Sequence, residues 1–183
     1  MTTKKYLTEL ESYFEYGTDI KARRVFLAAD VDEDYHYIIK GLHYLSDTKD
    51  PIEVYITTFG GDIYDAFGIY DTIVSLENHV TTIAVGKVMS AGTLILSAGD
   101  ERISYPNTYF MCHECSYDMP EVKHKEMKSA VTHADDIMDR LVEVMASRTN
   151  LEIRRWKSML KNPDVYFDAE KALEIGLITK IKE

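Results

Sequence analysis

No stretch of the chain is long and apolar enough to cross a bilayer. The longest apolar runs, such as Thr93 to Ala98, fall far short of the roughly 20 residues a spanning helix needs. The polar Met-Thr-Thr-Lys-Lys start lacks the apolar core of a secretory signal, so a soluble, cytoplasmic protein with no membrane partner is expected. Positive charge is also short: 21 Lys and Arg face 31 Asp and Glu, a formal net charge of -10. Without a basic stripe, that balance argues against nucleic acid as a partner. Internal repeats, low-complexity tracts and evident linkers are missing too. Residues 1–183 therefore read as a single domain, large enough to bury on the order of 70% of its unfolded surface. There is no Gly-rich phosphate loop with a following Lys and Ser/Thr, so no nucleotide site and no cofactor are expected.

Cysteine is scarce. Cys112 and Cys115 flank His113, but a structural zinc site wants four protein ligands, and there is no second pair. His124 and His133 lie on a predicted helix that need not return to this point. If Cys112 continues the strand before it, a residue three further on points to the opposite face, so the thiols diverge. Neither a metal site nor a disulfide is expected.

What is present alternates between strand and helix. Apolar residues at Tyr6, Leu7, Leu10, Tyr13 and Phe14 predict an amphipathic helix over about 5–17, ending near Gly17. Its aromatic stripe must be covered by its own domain or by a neighbouring subunit. Val25 to Ala28 is a strand, Asp32 caps a helix carrying Tyr35, Ile38, Ile39, Leu42 and Leu45, and Ile52 to Thr58 is the next strand. The Phe59-Gly60-Gly61-Asp62 turn leads to a helix over Ile63 to Glu77. Thr81 to Val85 is a buried strand that Gly86 ends. Successive β-α-β units predict an α/β fold with a largely parallel sheet. Short strands follow at Arg102 to Ser104 and Thr108 to Cys112. Val122 to Ser147 (about 121–148 with its ends) is the longest helical pattern, with apolar residues from Met127 to Met145 near a 3.5-residue period. It is longer than this core needs, so part of it is read as meeting another chain. Asn150 caps a short helix through Leu160, Asn162-Pro163-Asp164 is a loop, Asp168 caps the last helix, Gly176 ends it, and Leu177 to Ile181 is a closing strand.

Ser90 opens a helix directly after a strand and turn. Ala91 and Gly92 leave its hydroxyl unobstructed, and the N–H groups of the first helical turn point toward the same space. A serine there is ordinarily just an N-cap; what raises Ser90 is the company it keeps. Acyl transfer to a serine needs a base, a group that orients the base, and donors for the oxyanion. His113, at a strand end, is the candidate base. His36, His43, His124 and His133 fall on helices and His79 follows one, where a solvated side chain is the ordinary explanation. For the orienting carboxylate Asp164 and Asp168 both remain open, although Asp168 has a sufficient role as a cap. The oxyanion donors are the N–H groups of Gly61 and Ala91.

The segments Phe59 to Asp62 with Gly68 to Thr72, Gly86 to Gly92, Pro106-Asn107 followed by His113, and Ala169 to Ala172 with Gly176 to Ile178 resemble the Clp protease proteolytic subunit family. They come in the family's order over about Arg24 to Ile181. The resemblance implies a crotonase-like fold with a projecting handle helix, a catalytic set of Ser90, His113 and Asp164, and an oxyanion hole at Gly61 and Ala91. It further implies a self-compartmentalised serine endopeptidase of two stacked heptameric rings, cutting unfolded polypeptides delivered by an AAA+ unfoldase. Thr58-Phe59 stands where the family commonly has Ser-Pro, and Ala91-Gly92 where it has Met-Gly. The alternatives are a crotonase-type acyl-CoA hydratase or isomerase, and a ring-forming scaffold without catalysis.

Overall fold

A computed structural model describes residues 2–116, 123–161 and 164–183. The chain opens with α1 (Thr2–Tyr16) and a short strand β1 (Thr18–Asp19), then continues through β2 (Arg24–Leu27), α2 (Val31–Leu45), β3 (Ile52–Thr58), α3 (Ile63–Ser75), β4 (Val80–Met89) and α4 (Ala91–Ser97). Next come β5 (Glu101–Ser104), β6 (Tyr109–Cys112), α5 (His124–Arg148), α6 (Ile153–Leu160), β7 (Val165–Phe167), α7 (Ala169–Glu174) and β8 (Lys180–Ile181). Among the described residues these strands form one sheet. Its main path is β1-β2-β3-β4-β5-β8, with β6 joining the far end of β4 and β7 joining β6. The pairs from β2 to β8 along this path are parallel, as is β4 with β6; only β1 with β2 and β6 with β7 run antiparallel.

The strict alternation of β3, whose Ile52, Val54, Ile56 and Thr58 are buried, places one face of the sheet in the core. There α2, α3 and α4 lay down Ile38, Leu42, Ile69, Ile73, Leu94 and Ile95. The other face takes α1 at one edge, where Tyr13 meets Phe26 edge-on and Phe26 stacks on Tyr55. Phe14 is left 75% exposed, so the aromatic stripe is covered only in part.

Several boundaries differ from those the sequence predicts. Gly86 does not end β4: with φ at 69° it bends the strand, and the register with β3 slips from Ile56↔Ala84 to Thr58↔Val88 while pairing resumes beyond it. Asp30, not Asp32, precedes α2, and it caps without a side-chain bond. The Asp34 carboxylate instead accepts the N–H groups of Ala28 and Ala29. The helix expected through Glu77 stops at Ser75. Asn150 caps nothing; Glu152 precedes α6, and the Asn150 amide donates to the Glu174 carbonyl beneath Gly176. The closing strand is only Lys180–Ile181, because the N–H groups of Leu177 and Ile178 still return to the Ala172 carbonyl at the end of α7. β1 and β7 are too short for a periodic signal and go unpredicted. Asn162 and Pro163 of the expected loop lie outside the described residues.

The long helix is present as α5 over 25 residues, His124–Arg148. Its C-terminal half is anchored: Ile137, Leu141, Val142 and Met145 are buried. Arg148 donates to the Ser97, Ala98 and Gly99 carbonyls, tying the helix end to the end of α4. From Glu126 to His133 every residue is exposed, Met127 and Val131 at 46% each, so this half projects from the core. No helix among the described residues is long and apolar enough to cross a membrane.

Candidate active site

The bend at Gly86 creates the site. Beyond it, Lys87 to Met89 pair with Tyr109 to Met111 of β6, and the Ser90 N–H donates to the Met111 carbonyl at 2.8 Å. The residues after Met111 are thereby carried alongside Ser90. β7 then runs antiparallel to β6 with Val165 opposite Cys112. One step further along that register, Asp164 falls opposite His113.

Ser90 itself sits at φ 50° and ψ -125° and makes no side-chain cap bond to its helix. A non-glycine residue there is strained by roughly 1–3 kcal/mol, a cost that functional turns commonly carry. Its Oγ lies 2.7 Å from His113 Nε2, a full hydrogen bond. On the other side of the ring, Nδ1 is 3.4 Å from Asp164 Oδ1, with the histidine side chain 27% and the aspartate 50% exposed. The Tyr166 hydroxyl donates to the other carboxylate oxygen at 3.4 Å. Asp168 is engaged elsewhere: its carboxylate accepts the Lys171 N–H and caps α7. The Ser-His-Asp order matches the requirement for a neutral imidazole that takes the hydroxyl proton at Nε2 while a carboxylate faces Nδ1.

Glycine is required on both sides of Ser90. At Gly60 (φ 117°) a Cβ would stand 2.7 Å from Ser90 Cβ, and at Gly92 one would stand 2.5 Å from Thr58 Cγ2. The Gly60 carbonyl accepts the Val31 N–H, which holds the glycine turn in place over the serine. Gly61 and Ala91 line the same cleft as Ser90 and His113. Acidic groups crowd the glycine turn. Burial, then the nearby Asp62 and Asp32 carboxylates, holds the Asp65 carboxyl above its ordinary value.

The remaining candidates lie elsewhere. His79 is 3.7 Å from Asp100 at the surface, and His133 shares a 2.8 Å hydrogen bond with the Tyr64 hydroxyl. Cys112 and Cys115 are in no disulfide. Both line the cleft instead of parting across the sheet, because β6 ends at Cys112 and strand alternation stops with it. Burial pushes the Cys112 thiol up to about 12, against a smaller opposing effect of its hydrogen bond with Thr93, so it is inert as a nucleophile. Among the described residues no group of His, Cys, Asp or Glu is arranged to hold a metal ion. Sequence reasoning missed the inner wall of the cleft, formed by Leu141, Met145, Trp156 and Leu160; their spacing marks helix faces but not which faces converge.

Comparison with known proteins bears on the family and the fold. The family model described as Clp protease matches residues 8–183. The chain is 30% identical over 181 residues to the ATP-dependent Clp protease proteolytic subunit of Deinococcus radiodurans, covering 93% of this chain and 85% of that protein. A solved structure of a ClpP1 mutant from Listeria monocytogenes superposes with a TM-score of 0.82 at 24% identity, over 90% of this chain and 93% of that one. The sheet and its helices thus have the crotonase-like fold of that structure.

Proposed function

Because the chain belongs to the Clp protease family and is a serine peptidase, we propose that Ser90 is its nucleophile, His113 its general base and Asp164 the carboxylate that orients His113. Ser90 Oγ gives its proton to His113 Nε2 and attacks the peptide carbonyl, and the imidazolium that forms is stabilised across Nδ1 by Asp164. The oxyanion is received by the N–H groups of Gly61 and Ala91. His113 then passes the proton to the leaving amine, and water repeats the sequence on the acyl-enzyme. The observation that carries the reading is the 2.7 Å Ser90–His113 contact from a strained, uncapped serine, which neither an acyl-CoA hydratase nor an inert scaffold needs.

The wider reading follows the Deinococcus relative, an ATP-dependent proteolytic subunit by name. Residues 1–183 act as one cytoplasmic domain. It assembles through the exposed half of α5 into two stacked heptameric rings, and an AAA+ unfoldase supplies it with unfolded polypeptide.

A fluorophosphonate probe, which bonds only to an activated serine, tests the site. Labelling of the wild-type chain at Ser90, lost in Ser90→Ala and reduced at least about a hundredfold in rate in His113→Ala, is the expected result. An unlabelled wild-type chain, or labelling that persists in Ser90→Ala, overturns the assignment. Ser90→Ala combined with His113→Ala should cost little more peptidase activity than either alone, because the residues act as a unit.

A further inference from the structure

The strand that delivers Ser90 and the turn that carries Gly61 are joined by a side-chain contact outside the cleft. Thr58 and Val88, both buried, oppose each other where the pairing of β3 and β4 resumes beyond the bend. Their neighbours Phe59 and Lys87 turn to the opposite face, as strand alternation requires. There Lys87 Nζ stands 3.3 Å from the centre of the Phe59 ring, well within the roughly 6 Å over which a cation is attracted to an aromatic face. Carboxylates abound in a chain with 31 Asp and Glu, yet among the described residues Lys87 forms no ion pair. Phe59 is 61% exposed, so burial does little to hold its ring. Neither side chain lines the cleft.

Lys87 stands three residues before Ser90, and Phe59 two before Gly61, so the contact bridges the nucleophile's strand to the glycine turn. The backbone of that turn passes through φ 117° at Gly60 and 143° at Gly61, a region in which glycine is free to move. On one side the turn is held at Gly60, whose N–H donates to Thr58 Oγ1 at 3.0 Å and whose carbonyl accepts the Val31 N–H at 2.8 Å. On the other side it is held at Phe59 by Lys87. We propose that Lys87 is a positioning residue for peptide hydrolysis: by holding Phe59 it fixes the Gly61 N–H relative to Ser90 Oγ, and so sets how well the oxyanion is received. The inference rests on the reading of Ser90 as nucleophile and Gly61 as oxyanion donor. Charge gathers on the carbonyl oxygen only as the tetrahedral state forms, so a donor that drifts weakens the transition state and leaves ground-state binding alone. Loss of the bridge therefore lowers kcat without raising KM. Lys87 is half-buried and Phe59 exposed, so the loss is about three- to fivefold, against a hundredfold or more for removing a donor outright.

The test is a double-mutant cycle on the full-length assembled protein, with kcat and KM measured on one peptide and active sites counted by fluorophosphonate. Lys87→Met keeps the stem and removes the charge, whereas Phe59→Leu keeps an apolar side chain and removes the ring. Each should lower kcat about three- to fivefold per labelled site with KM within about twofold of wild type. The two together should lower it no further than either alone. Lys87→Arg, whose guanidinium also seats on a ring face, should keep kcat within about twofold of wild type. Unchanged kcat in Lys87→Met, losses that multiply in the double variant, an equal loss in Lys87→Arg, or a loss confined to KM would each overturn the proposal. Gly60→Ala in the same assay separates the bridge from the reading beneath it. Lost activity there beside unchanged kcat in Lys87→Met rejects the bridge alone, whereas full activity there removes the turn from catalysis and the bridge with it. Failure of the wild type to label would overturn the Ser90 reading itself.

Discussion

His113 Nδ1 stands 3.4 Å from Asp164 Oδ1, whereas the Asp168 carboxylate, four residues later, accepts the Lys171 N–H at 2.9 Å. Two aspartates that composition leaves equivalent are thus separated by what each one touches. Asp164→Asn should lower kcat on the order of 10³- to 10⁴-fold with the fold intact, because an amide opposite Nδ1 favours the wrong tautomer. Asp168→Asn should leave turnover nearly unchanged and cost a few tenths of a kcal/mol at most, since asparagine caps helices as well as aspartate does. Steady-state kinetics with thermal melts on the two variants check this, and a reversed pattern would move the carboxylate role to Asp168.

Gly60 cannot carry a side chain. With φ at 117° and a Cβ position 2.7 Å from Ser90 Cβ and 3.1 Å from the Met89 carbonyl, Gly60→Ala must push the glycine turn off the serine. The expected result is a loss of at least about a hundredfold in kcat/KM with a destabilisation of about 1–3 kcal/mol. Unaltered peptidase activity in Gly60→Ala would mean that the turn takes no part in catalysis.

Cys112 gives a pH dependence whose sign can be worked out. Its thiol is held up to about 12 by burial, while an unfolded cysteine titrates near 8.5. The folded chain therefore keeps the neutral thiol, and the associated stability is full below about pH 8.5 and is lost as pH rises toward 12. At about pH 10 the loss is about 2 kcal/mol. Replacing the thiol by Cys112→Val should flatten this alkaline decline in denaturant midpoint. An equally steep decline in the variant would assign it to other groups. Iodoacetamide at mildly alkaline pH should likewise leave native Cys112 unmodified, as peptide mass mapping would report.

The exposed half of α5 predicts an assembly defect. Met127 and Val131 lie one turn apart, each 46% exposed, on a segment where no residue from 126 to 133 is buried. Charges at both should leave the monomer folded while opposing burial against a second chain. Met127→Glu with Val131→Glu is expected to halve the assembly mass roughly, and to depress peptide turnover although Ser90 is untouched. Sedimentation velocity and turnover on one sample decide it: an unchanged mass with full activity would leave α5 without a role in ring contact.

Much of this protein is legible in consecutive residues. The alternation over Ile52 to Thr58, the 3.6-residue spacing of α2 and α3, and the long period from Met127 to Met145 each repeat within one element, so burial on one face is written into the sequence itself. Ser90 between a strand and a small-residue helix, and His113 at a strand end, are legible for the same reason. The pairing of distant segments is not. Whether β4 stops at Gly86 or bends through it depends on β6 being available to pair with Lys87 to Met89. That Asp164, and not Asp168, faces His113 depends on Val165 opposing Cys112. The cleft wall formed by Leu141, Met145, Trp156 and Leu160 arises only when α5 and α6 pack beside α4 and β6. A local pattern constrains which face an element buries, but register and convergence are decided by packing between residues tens of positions apart, and only the folded chain carries that information.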